Sequence, residues 1–80
     1  MLETILNGEL PSVTFRRLVE GDSSMTNIRL SQIFRQEFPN VDSLAGQLLW
    51  GWMRPGKAQG LSDESLDVEL LKMLKDAGYL

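Results

Sequence analysis

The sequence predicts an all-α domain, a small bundle of four to five short helices packed around a single layer of core, with residues 1–80 forming one domain. Three observations lead there. Apolar residues recur at three- and four-residue spacing through the centre and the C-terminal third. Capping and helix-stopping residues bracket each of those runs. No pair of segments alternates apolar and polar residues in the way two pairing strands require. A chain of 80 residues buries only roughly 60% of the surface its unfolded form exposes, so the core must be thin.

Taken in order, Leu2, Ile5 and Leu6 ahead of Gly8 predict a helix of two turns. Pro11 and Ser12 suit the start of a second helix, with Phe15, Leu18 and Val19 on its face. Ser12-Val13-Thr14-Phe15 is rich in strand formers, so residues 10–19 stand between helix and strand. Helix is preferred because a strand here has no partner. Thr26 is placed to cap a helix over residues 26–38, with Met25 and Leu30 as a hydrophobic staple and Leu30, Ile33, Phe34 and Phe38 as its apolar face. Pro39 ends it.

After the turn Asn40-Val41-Asp42, either Asp42 or Ser43 caps a helix over residues 43–53, half of whose surface is apolar (Leu44, Ala45, Leu48, Leu49, Trp52, Met53). Pro55-Gly56 stops it and opens a loop to Gly60. The last helix, residues 62–77, carries the most complete set of signals. Ser62 is its N-cap, Leu61 and Leu66 its staple, and Leu66, Leu70, Met73, Leu74 and Ala77 its stripe. Acids lie early and Lys72 and Lys75 late, as the helix dipole favours. Gly78 is placed for the left-handed C′ position, with Tyr79 packing back on Leu74. The expected core is Leu30, Ile33, Phe34, Phe38, Leu44, Leu48, Trp52, Leu66, Leu70, Met73 and Leu74.

Composition argues about function mainly by subtraction. Cysteine and histidine are both absent. The commonest nucleophile, general base and metal ligands are therefore missing, and no catalytic, cofactor or metal residues are assigned. The longest apolar stretch, Leu48 to Met53, is too short to span a bilayer. No basic, then apolar leader opens the chain, so a cytoplasmic location is expected. The net charge of −3 resides in residues 61–80, where Asp63, Glu64, Asp67, Glu69 and Asp76 face only Lys72 and Lys75. Residues 23–60 are slightly basic, with Arg29, Arg35, Arg54 and Lys57 against Glu37 and Asp42.

Four local patterns carry the functional expectations. The run Gly51-Trp-Met-Arg-Pro-Gly56-Lys57 has the spacing of a phosphate-binding loop up to its lysine, but Ala58 stands where the magnesium-binding hydroxyl belongs. It reads as a helix stop and a solvated loop. Glu37 falls inside the apolar stripe of residues 26–38 and is expected either to lie where the last turn emerges from the core or to meet an arginine such as Arg16 or Arg17. Of those two adjacent arginines, one is expected to be solvated and the other ion-paired.

Trp50 lies opposite Trp52 on the helical wheel, beside Gly46, Gln47 and Arg54. Either the N-terminal segment covers this side of the helix, the slightly weightier reading, or Trp50 anchors an interface whose partner approaches the backbone at Gly46. The interface reading makes Trp50, Gln47, Arg54 and Lys57 the partner-binding residues. Residues 26–53 also have the outline of a helix-turn-helix unit, although Gln47 is the one good base reader on its second helix.

The expected function is a small non-catalytic protein-interaction or regulatory module, with another protein or a second copy in a homodimer as partner. The alternative is a helix-turn-helix DNA-binding protein using residues 26–53. No membrane role is expected.

Overall fold

The computed structural model describes all 80 residues as five helices and no strand: α1 (Glu3–Leu6), α2 (Pro11–Gly21), α3 (Asn27–Glu37), α4 (Leu44–Trp50) and α5 (Asp63–Asp76). The all-α bundle expected from the sequence is the fold observed. No helix is long and apolar enough to cross a membrane. Packing pairs α3 with α4, α2 with α5, α4 with α5 and α1 with α2.

Local chemistry sets the starts of α3 and α5 and the end of α5. The Thr26 hydroxyl accepts the Arg29 N–H at 3.1 Å to open α3, and the Ser62 hydroxyl accepts the Ser65 N–H at 3.2 Å to open α5, each satisfying one orphan donor of a first turn. Gly78 takes φ 88°, which brings the Tyr79 N–H to the Leu74 carbonyl at 2.9 Å. Tyr79 then lays its ring on Phe38, with centroids 5.0 Å apart.

Residues 11–19 are helical, and Leu10 is the extended residue before them. α2 has no side-chain cap of its own; a distant one is supplied by α5. Asp67, 7% exposed, accepts the Ser12 N–H on Oδ1 and the Ser12 hydroxyl on Oδ2, both at 2.7 Å. A carboxylate at a helix N-terminus answers both the orphan N–H groups and the positive end of the dipole. Phe15, one turn on, is fully buried. That burial overrides the strand propensity of Val13 and Thr14.

The core holds Leu2, Ile5, Phe15, Met25, Leu30, Phe34, Phe38, Ala45, Leu49, Trp52, Leu66, Leu70 and Leu74. Its spine is a line of aromatic rings, Trp52–Phe15–Phe34–Phe38–Tyr79, with neighbouring centroids 5.0 to 6.3 Å apart in tilted and edge-on contacts. Ile33, Leu48 and Met73 from the expected core are half-buried against it. Leu44 departs from expectation. It is 51% exposed, because α4 turns its Ala45, Gly46 and Leu49 stripe inward and leaves its first residue outside the contact with α3.

Candidate interaction surface

The surface around Trp50 is set by how α4 meets α3 and how the chain leaves it. A Cβ on Gly46 would stand 2.7 Å from the Ser31 hydroxyl oxygen and 3.1 Å from Cδ of Arg35. The missing side chain therefore lets α3 lie close against α4. The close approach expected at Gly46 exists, but it is made by α3 and not by a partner. One turn back on α3 and one turn on along α4, the Asn27 amide donates to the carbonyls of Trp50 at 3.2 Å and, just past the helix, Trp52 at 2.9 Å. This clip satisfies the Trp50 carbonyl that the end of α4 leaves unpaired and shares the Trp52 carbonyl with the Arg54 N–H. The Asn27 Oδ1 is buried and receives no hydrogen bond.

The clip coincides with the end of α4 at Trp50, three residues short of the expected Met53. Gly51 closes the helix, and the chain pairs with the start of α5. The Leu61 N–H donates to the Gly51 carbonyl at 2.6 Å and the Met53 N–H to the Leu61 carbonyl at 2.8 Å. Gly60 makes this possible. Its φ of +139° is one that L side chains rarely adopt, and a Cβ there would stand 2.5 Å from the Gly51 carbonyl oxygen. Residues 51–57 are thus a helix end and a turn, with the helix stopping before Gly51 and not at Pro55-Gly56.

Released from helical geometry, Trp52 turns inward and is fully buried. Its ring meets Phe15 at 6.0 Å, and its indole N–H donates to Asp63 Oδ1 at 2.9 Å. The Arg16 Nε donates to Asp63 Oδ2 at 2.7 Å, and the Arg16 guanidinium lies 5.8 Å from the Trp52 ring centroid. The Arg16 hydrogen bond, with help from the indole, holds the Asp63 carboxyl below its usual range.

Trp50 goes the other way and is 52% exposed. Ile28 is 61% exposed and directly follows the Asn27 that clips Trp50, so the two apolar side chains share one end of the α3–α4 pair. Gln47 is exposed one turn before Trp50, and Arg54 is half-buried just past the clip. Lys57 is exposed across a turn whose N–H donates to the Arg54 carbonyl at 3.0 Å. Arg29, Arg35, Arg54 and Lys57 form none of the ion pairs in the structure, which use the N-terminus, Arg16 and Arg17. Ile28 was not singled out in the sequence. The available signal was its position off the Leu30/Ile33/Phe34 stripe.

The expectation that the N-terminal segment covers Trp50 is not met, and Glu37 explains why. Glu37 accepts the Leu2 N–H at 2.8 Å and the N-terminal ammonium at 3.3 Å. It therefore anchors the N-terminal segment at the C-terminal end of α3, about 15 Å from the Asn27 end where Trp50 lies. Glu37 is half-buried in the last residue of α3, where the helix emerges from the core, and contacts neither Arg16 nor Arg17. Both arginines are ion-paired, Arg16 with Asp63 and Arg17 with Glu9, where one was expected to be solvated. Glu9 also accepts hydrogen bonds from the Thr4 and Thr14 hydroxyls. The Arg17 hydrogen bond is the main reason its carboxyl is held at about 2.

Comparison with family models, with curated proteins and with solved structures finds no significant match to this chain.

Proposed function

We propose that the chain is a non-catalytic protein-interaction module that docks its partner on the α3–α4 end centred on Trp50. The observation that carries this reading is the different treatment of the two tryptophans. Trp52 is fully buried, while Trp50, two residues away, is 52% exposed at the same end of the α3–α4 pair as Ile28, which is 61% exposed. An exposed tryptophan and an exposed aliphatic side chain at one end of a helix pair, with Gln47, Arg54 and Lys57 in the adjoining segment, have the composition of an interface anchor with a polar rim. A regulatory role and a cytoplasmic setting belong to this proposal; a fold held without disulfides suits the latter.

The helix-turn-helix alternative draws on Arg29, Arg35, Arg54 and Lys57, which are free for phosphate contacts. Against it, α4 has seven residues, and its exposed side chains are led by Leu44, Gln47 and Trp50. That set offers one base reader.

Trp50→Ala is the test, read against Trp52→Ala. W50A should keep the fold, with stability changed by at most about 1 kcal/mol, because the side chain is half in solvent. W52A should cost about 3–5 kcal/mol. Proteins captured by the wild-type chain should be lost with W50A at unchanged circular dichroism. Capture unaffected by W50A refutes the reading, and tight, salt-sensitive binding of random duplex DNA by the wild type replaces it with the alternative.

A further inference from the structure

Resting on the docking role of Trp50, we propose that its occupant is a second copy of this chain, bound head to tail. The basic, apolar Trp50 surface of one copy seats on an acidic, apolar surface formed by α2 and α5 of the next. That second surface is centred on Val13 and Val68, which are 46% and 64% exposed. They directly follow Ser12 and Asp67, whose side chains meet at 2.7 Å, so both valines flank the α2–α5 junction. Glu64 and Glu69 are exposed on either side of Val68 and form no ion pair. The neighbouring cations of α2 are already taken, Arg16 by Asp63 and Arg17 by Glu9. Lys72, one turn beyond Val68, is the nearest cation on α5.

The Trp50 surface is the complement in both respects. Its apolar centre is Trp50 and Ile28, and its charges are the unpaired Arg29, Arg54 and Lys57. Asp42 and Glu37 belong to the opposite end of α3, where Asp42 accepts the Leu44 N–H and Glu37 the N-terminus. The Asp22 charge acts on Arg29, so Arg54 and Lys57 carry the basic excess of the surface. One chain cannot join its own two surfaces. Trp52 turns toward α2 and α5, Trp50 sits at the α3 side, and both patches remain exposed within the folded chain.

A contact between unlike surfaces is heterologous, so each added copy leaves one of each surface free and assembly continues past the dimer unless it closes into a ring. A small specific interface buries about 600 Å² on each side, roughly an eighth of this chain's 4747 Å². Association should therefore be weak and, because the complementarity is ionic at the rim, sensitive to salt.

The experiment is sedimentation analysis of the full chain from micromolar to millimolar concentration at low and high salt. The wild type should exceed twice its 9.0 kDa monomer mass at high concentration in low salt and return toward monomer in high salt. Arg54→Gln with Lys57→Gln removes rim charge from one surface, and Glu64→Gln with Glu69→Gln removes it from the other. All four residues are outside the core, and circular dichroism confirms that each variant is folded. Each double variant alone should be monomeric, and an equimolar mixture should stop at a one-to-one dimer.

A wild type that stays monomeric overturns the proposal. So does self-association that survives E64Q/E69Q, since that result means a symmetric contact. A monomeric wild type whose captured proteins are still lost with W50A removes the second copy as occupant and leaves the docking role of Trp50 standing.

Discussion

Replacing Asp67 by alanine removes the one group that caps α2 from outside. Both of its oxygens are used at 2.7 Å, one by the Ser12 N–H and one by the Ser12 hydroxyl, at a site where Asp67 is 7% and Ser12 3% exposed. Hydrogen bonds to a charged group contribute about 1.5–3 kcal/mol each. A carboxylate at a helix N-terminus adds roughly 0.3–1 kcal/mol from the dipole. Desolvating the carboxylate offsets part of this, so the expected cost of D67A is about 2–4 kcal/mol. For a domain of this size that is a large share of a total stability of about 4–12 kcal/mol.

The assay is thermal and urea unfolding followed by circular dichroism. At about 4–8 °C per kcal/mol, Tm should fall by roughly 10–30 °C. Asp67→Asn is the control. Its amide oxygen can still accept the Ser12 N–H and its NH₂ can donate to the hydroxyl, so only the charge is lost and the cost should be about 1 kcal/mol. A D67A variant within about 0.5 kcal/mol of wild type would show that α2 does not need this cap, and the account of why residues 11–19 fold as helix would fail.

Two further perturbations address other parts of the same framework. Gly60→Ala puts a Cβ 2.5 Å from the Gly51 carbonyl at a φ of +139°; it should cost about 2–4 kcal/mol in urea unfolding, whereas Gly21→Ala, which meets nothing within 4 Å, should be neutral or slightly stabilising. Acid should weaken the fold in a defined window. The Glu9 carboxyl is depressed from 4.5 to about 2, and that of Asp63 is depressed as well. Both contribute stability that is fully present above their unfolded pKa values and lost as pH falls through the folded ones. Tm should therefore drop between about pH 5 and pH 2. Glu9→Gln and Asp63→Asn should flatten that drop, and unchanged pH profiles in both variants would contradict the assignment.

How much of this molecule could be read from its residues depends on the distance over which each interaction acts. The starts of α3 and α5 were legible because Thr26 and Ser62 bond to amides three residues away. The end of α5 was legible because Gly78 can adopt a backbone angle that other residues avoid. The stripes of α3 and α5 were legible because each repeats at helical spacing over 11 or 14 residues. α4 was legible in existence but not in length or orientation, since Asn27 clips its end and Gly46 meets Ser31 and Arg35. The position of Trp50 off the apolar stripe was legible from the same spacing, and its side chain is exposed.

The sequence by itself determined the helical class, the two side-chain caps and the lack of His and Cys chemistry, all properties of residue type or of contacts within one or two turns. Only the tertiary structure decided that Asp67 would cap a helix 55 residues away, that Glu37 would hold Leu2 across 35 residues, and that Trp50 would stay exposed. Those outcomes depend on which helix faces which, and that is settled when the apolar faces pack together. By anchoring the N-terminal segment at the far end of α3, Glu37 leaves Trp50 uncovered.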